Sequence, residues 1–142
     1  MRQSLITIEE FEEIRDSDAP FTDHYGFQID ELVFGECLVR LPYDVKHVRP
    51  GGTICGPAMF ALADYSMWLA VLSTVGKVPL AVTTNMNINF LNKPANADLL
   101  CQTKLIKQGK RLMVGDMTIY AEGDIAPCAH VTGTYSVPPL KE

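Results

Sequence analysis

The stretch Pro50-Gly51-Gly52-Thr53-Ile54-Cys55-Gly56-Pro57 opens into Ala58-Met59-Phe60-Ala61-Leu62-Ala63-Asp64 and stays almost wholly apolar through Leu72. A glycine-rich turn thus feeds a helix with a single carboxylate inside it. A helix that is apolar all round has no solvent face, so the rest of the chain must enclose it. Asp64 sits among Leu62, Met67 and Trp68, where a lone carboxylate costs several kcal/mol unless it is hydrogen-bonded, paired or protonated. From Ile54 to Val75 the run is long enough, at ~1.5 Å per residue, to cross a hydrocarbon core of roughly 30 Å. Gly56, Pro57, Asp64 and Ser66 within it, the lack of a close basic flank and the amphipathic strands that follow argue instead for a helix wrapped by a soluble sheet.

A chain of 142 residues with 47% hydrophobic content has the size of one globular domain, expected to span 1–142 with residues 1–19 as an N-terminal helical extension. The net charge of -5 argues against a nucleic-acid binder, which needs a basic face to neutralise phosphates. Lys107, Lys110 and Arg111 nevertheless form a small basic patch suited to a small anionic ligand. The start, Met1 to Glu13, is acidic and lacks the apolar core of a signal peptide, and Glu9, Glu10, Glu12 and Glu13 read as a solvated helix face. Cys37, Cys55, Cys101 and Cys128 show no CxxC spacing, which fits reduced thiols in the cytoplasm. His24, His47 and His130 are far apart, with no carboxylate at ligand spacing, so no metal site is expected; His47 is expected at the surface.

The remaining pattern is one of strands. Val82, Thr84, Met86, Ile88 and Phe90 alternate with Thr83, Asn85, Asn87, Asn89 and Leu91, giving one apolar and one polar face. Further strands are expected over 97–107, 112–121 and 125–137, with Gln108-Gly109-Lys110 and Glu122-Gly123-Asp124 as turns. Upstream, 27–33 and 36–41 form two strands around Phe34-Gly35, preceded by a helix over 8–15 that Thr7 can cap. Short helix, two strands, long buried helix and four strands make an α+β domain with its helices on one face of an antiparallel sheet.

Gly-Thr-Ile-x-Gly followed by Phe60-Ala61-Leu62-Ala63-Asp64, then 82–91, the Lys110-Arg111 hairpin and Thr132-Gly133-Thr134-Tyr135, resembles the hotdog-fold acyl-CoA thioesterases of the PaaI-like group over about residues 20–137. The resemblance implies a curved antiparallel sheet wrapped around one long central helix. It also implies homodimers with two sites at the interface, usually paired into homotetramers, and no cofactor apart from the coenzyme A of the substrate. By the same resemblance Asp64 is the base or nucleophile, the Gly56 N–H meets the thioester oxygen, and Thr83 helps to orient the attacking water. Arg49, Cys55, Pro57, Asn89, Phe90, Lys110 and Arg111 are then candidates to contact substrate. No membrane or nucleic-acid partner is implied.

Elementary helix geometry adds a condition. A helix N-terminus offers unpaired N–H groups and partial positive charge, which suits Gly56 to an oxyanion. Asp64 lies eight residues on, roughly 12 Å along the same axis, so the two cannot serve one carbonyl unless they come from different subunits. The family often reads Asn-Pro-x-Gly-x-x-His-Gly-Gly, where this chain has Arg49, Cys55 and Pro57 in place of the asparagine, the histidine and the last glycine. Pro57 suits a first helical turn. Cys55 is either a small packed thiol, the expected role, or a thiol activated by the helix end. The replacements leave a non-catalytic acyl-CoA binding or sensing module as an alternative; a hydratase or dehydratase on this fold would need a histidine where Cys55 stands. Met59, Met67, Met86 and Phe60 are candidates to line an acyl pocket, since methionine adapts to aromatic or aliphatic groups.

Overall fold

The computed structural model describes residues 2–139, so residues 1 and 140–142 of the expected domain lie outside the described residues. The central element is α2, Gly56–Val75, a 20-residue helix with Pro57 in its first turn and Gly76 at its C-cap. A six-stranded antiparallel sheet curves around it. Its strands are β1 (Gln28–Val33), β2 (Glu36–Leu41), β5 (Val82–Phe90), β6 (Leu99–Gln108), β7 (Leu112–Ala121) and β8 (Ala129–Ser136), in the spatial order β1-β2-β6-β7-β8-β5. Cys101, Thr103 and Leu105 on β6, Met117 and Ile119 on β7, and Val131, Gly133 and Tyr135 on β8 point alternately inward onto α2, and all are buried. This answers the all-round apolarity of α2. The helix is long and apolar enough to cross a membrane, but 72% of its most apolar window is buried inside the protein.

The N-terminal segment packs on the open side of α2. Helix α1, Ile8–Asp18, starts at the expected Thr7 cap, where Thr7 and Glu10 exchange side-chain-to-backbone hydrogen bonds of 3.0 and 3.1 Å. It runs three residues beyond the expected end. Phe11 is its buried anchor, edge-on to Tyr65 and Trp68 of α2 with centroids 5.5 and 4.9 Å apart. A 3-10 helix, Pro20–His24, which the sequence pattern did not announce, leads the chain back across α2 towards β1.

Three further features differ from expectation. A two-residue ribbon, β3 (Val48–Arg49) with β4 (Thr53–Ile54), holds the glycine turn, where Gly51 and Gly52 adopt φ of +100° and +83° that a side chain would strain. The last strand begins at Ala129 and not at Ile125, which is fully exposed in the loop. His47 is not at the surface: it is 3% exposed, stacked on Tyr25 and edge-on to His24. Its ring is apolar enough on its faces to serve as packing, and burial holds its pKa below the ordinary histidine value, with His24 and Lys46 acting in the same direction.

Candidate active site

Asp64 projects from the face of α2 that also carries Ala61, Tyr65 and Trp68, the i, i+3, i+4, i+7 set of one helix stripe. That stripe forms one wall of a cavity of about 490 Å³; Thr22, Tyr25 and Phe27 from the N-terminal segment form another, and Ala81, Thr83 and Tyr135 a third. Asp64 is half-buried at this wall. Its Oδ1 accepts two hydroxyl hydrogen bonds, from Thr83 Oγ1 at 2.6 Å and from Tyr135 OH at 2.7 Å. No side chain among the described residues bonds Oδ2. The carboxylate therefore has its burial answered by neutral donors, without a cationic partner. Tyr135 is 4% exposed, and burial first, then the neighbouring Asp64 charge, pushes its phenol pKa far up, so it remains a protonated donor.

A β-bulge brings Thr83 to Asp64. On β8 the inward row is Tyr135, Gly133, Val131 and Ala129, paired with Thr83, Met86, Ile88 and Phe90 on β5. The register shifts between Thr83 and Asn85, so Thr84 is an extra residue in the ladder. Strict alternation would place Thr83 on the outer face with Asn85, Asn87 and Asn89. The extra residue turns it inward instead, onto the carboxylate.

Gly56 lies in a second cavity, of about 400 Å³, with Arg49, Thr53, Met59, Phe90 and Lys93 among its walls. As the first residue of α2, it has an N–H with no i−4 partner in the helix. The Phe90 ring lies over it: a Cβ at Gly56 would stand 3.2 Å from Phe90 Cζ. Two cations and a helix N-terminus give this cavity a positive character that the Asp64 cavity lacks. Within one chain the cavities are separate and share no lining residue.

The other expected residues fall into four groups. Arg49 and Phe90 join Gly56. Lys110 and Arg111 are exposed at the β6–β7 turn, where the Arg111 carbonyl accepts from Val137 N at 2.7 Å, two residues from Tyr135 and hence at the Asp64 end of the sheet. Asn89 pairs with His130 on the outer face and meets neither cavity. Pro57 is exposed in the first turn of α2, and Cys55 is its N-cap, half-buried against the core with its side chain making no capping bond. Of the expected acyl-pocket residues, Met67 is fully buried and fills the space above Gly115, Met59 belongs to the Gly56 cavity, and neither Met86 nor Phe60 lines the Asp64 cavity. Aromatic rings line the Asp64 cavity instead. Tyr135, Tyr25, Phe27 and Lys93 are site residues to which the sequence pattern assigned no function. Among the described residues no three His, Cys, Asp or Glu side chains converge as a metal site.

The profile of the thioesterase superfamily matches residues 51–128, more than half of the chain, and the chain belongs to that superfamily. It is a thioester hydrolase of the hotdog fold. It is similar to the crystal structure of a candidate thioesterase from a Silicibacter species, with 42% identity over 96% of this chain and 95% of that one and a TM-score of 0.86. A candidate esterase of Saccharolobus solfataricus is 29% identical over 133 residues, 94% of this chain and 87% of its own length. The fold is also that of a variant of the phenylacetic acid degradation protein PaaI from Thermus thermophilus, at 24% identity, covering 84% and 99% of the two chains with a TM-score of 0.74.

Proposed function

We propose that the chain hydrolyses acyl-CoA thioesters at sites shared between two copies, with Asp64 as general base. The observation that carries this reading is the Asp64 carboxylate, fixed through Oδ1 by Thr83 and Tyr135 and with Oδ2 unbonded at the wall of an aromatic-lined cavity. In the proposed step Oδ2 takes a proton from a water as the water oxygen bonds to the thioester carbon. Negative charge collects on the carbonyl oxygen at a helix N-terminal N–H, and the C–S bond then breaks with its electron pair leaving on the coenzyme A sulfur. The acyl group occupies the cavity of Tyr25, Phe27, Tyr65 and Trp68. The step uses no metal or redox cofactor.

The second copy is needed for the oxyanion. β5 ends the sheet and its outer edge is unpaired among the described residues, while Val82, Phe90 and Leu91 along it are 56%, 55% and 50% exposed. An edge strand of nine residues with exposed apolar side chains is a surface that proteins normally cover. Antiparallel pairing of β5 with its own copy about Met86 sets Val82 opposite Phe90 of the partner subunit. Thr83 and Asp64 then face the end of the strand where Phe90 covers Gly56. A two-fold axis makes both composite sites at once. Arg49 and Lys93 on one side, and Lys110 and Arg111 on the other, supply cations for the phosphates of coenzyme A. Two such dimers form the tetramer that the resemblance implies, and four free thiols fit a cytoplasmic setting.

The test is thiol release from a panel of aryl and aliphatic acyl-CoAs by the wild type and by Asp64→Asn, which preserves size and removes the base. Turnover by the wild type and a loss of roughly 10²–10⁴-fold in a folded, oligomeric variant is expected. A variant within tenfold of wild type would remove Asp64 from the mechanism. Failure of the wild type on every substrate, with acyl-CoA still raising its melting temperature, would make this an acyl-CoA binding module.

A further inference from the structure

We infer that Tyr135 is a positioning residue for Asp64: its hydroxyl and that of Thr83 clamp Oδ1 so that Oδ2 alone is presented to the cavity. The inference rests on the function proposed above and concerns the orientation of its base.

Three observations carry it. Both donors converge on the same oxygen, at 2.6 and 2.7 Å, and no side chain among the described residues bonds the other. A half-buried carboxylate with two equivalent oxygens can rotate about χ2; two short bonds from separate strands to one oxygen remove that freedom. The Tyr135 hydroxyl also lies 3.1 Å from the main-chain carbonyl of Asp64, so it is held against both the side chain and the backbone of the residue it orients. Finally, the clamp is built by two inward positions that pair directly across β5 and β8, Thr83 opposite Tyr135. The Thr84 bulge is what permits that pairing to face the helix. A phenol that is this buried and whose hydroxyl has a carboxylate as its partner is more than packing: phenylalanine would fill the same space, and the hydroxyl costs desolvation unless it is used.

The chemical consequence is directional. Thr83 commits its proton to Oδ1, so in this arrangement it orients the base and not the water. The water binds at Oδ2, on the side of the aromatic cavity.

The test compares wild type, Tyr135→Phe, Thr83→Val and the double variant. Tyr135→Phe keeps the ring in place, and Thr83→Val alters a side chain at the sheet edge, so at least one remains folded for comparison. Each single change is expected to lower kcat roughly tenfold with KM within about twofold. In crystals of the double variant the Asp64 carboxylate is expected to leave its single orientation. If Tyr135→Phe keeps its kcat, the inference is wrong. It is equally overturned if the carboxylate of the double variant stays where it is. Should the wild type prove inactive while the double variant releases the carboxylate, the catalytic reading fails and the clamp stands.

Discussion

Mixing two inactive variants tests the proposed shared site directly. Asp64→Asn removes the proposed base from one end of the chain's contribution. Gly56→Val damages the other, because a Cβ there already stands 3.2 Å from Phe90 Cζ and a branched side chain must displace the ring or fill the cavity. Losing a general base costs about 10²–10⁴-fold and losing an oxyanion donor about 10²–10³-fold, so each parent dimer retains roughly 1% of wild-type turnover or less. Dissociation and random reassociation of equal amounts produces mixed dimers as about half of the population. Each mixed dimer has one site built from Asp64 of one chain and Gly56 of the other, and one site with both defects. The mixture should therefore recover about a quarter of wild-type thiol release, some 25-fold above either parent, given two-fold symmetry. Thiol release is followed after co-denaturation and refolding, with each parent treated alone as the control and the dimer confirmed by light scattering. Recovery no greater than the average of the two parents would refute the composite site, since a site within one chain cannot complement.

Three further outcomes follow from the geometry. Ala61→Phe, on the cavity wall between Asp64 and Tyr65, should slow the larger acyl groups by tenfold or more while sparing the smallest, seen as a change in the ratio of kcat/KM across the panel. Below neutral pH, Glu10 is held at about 2, first by its bond with Lys77 and then by the Thr7 amide, and Asp98 is lowered first by the Tyr43 amide and then by Arg40. Both pKa values lie below their unfolded values, so the unfolded chain binds more protons and stability should fall as pH drops from about 4.5 towards 2; urea midpoints across that window should show it, with a shallower decline in Glu10→Gln. Native protein treated with a thiol reagent at pH 7 should label Cys55 only, since Cys37, Cys101 and Cys128 are buried and the last two are pushed up to about 11, whereas denaturant should expose all four.

The long helix, the six strands of the main sheet and the carboxylate that needs partners were readable because each follows from a local pattern: apolarity on every side of α2, alternation on β6 to β8, one charge where none belongs. His47 was misplaced because polarity alone predicts exposure, while its burial depends on Tyr25 and His24 arriving from a different segment to stack on it. The aromatic wall of the Asp64 cavity went unread for a similar reason: Met59, Met67, Met86 and Phe60 were the expected pocket residues, whereas Tyr25 and Phe27 show no periodicity and are set in place only by the turn at Pro20–His24.

Thr83 marks the boundary between what pattern can and cannot reveal. Period-two reading places it on the polar face of β5, away from the helix, and the resemblance alone connected it with Asp64. What reverses its direction is one extra residue, Thr84, and nothing about a threonine among threonines and asparagines marks a bulge. A cross-strand argument would have found it: β8 runs Ala129, Val131, Gly133, Tyr135 inward, and a tyrosine that ends a buried row needs a partner for its hydroxyl. The one buried acceptor lacking a partner in the sequence reading was Asp64. Two unexplained polar groups facing the same core are better satisfied by each other than by separate devices, since a buried pair removes both desolvation penalties with one bond. Pairing Tyr135 with Asp64 then fixes which face of β8 looks at α2, and β5, locked to β8, must bend for Thr83 to join. The carboxylate that first demanded an explanation in the sequence thus also dictates where the sheet breaks its own alternation.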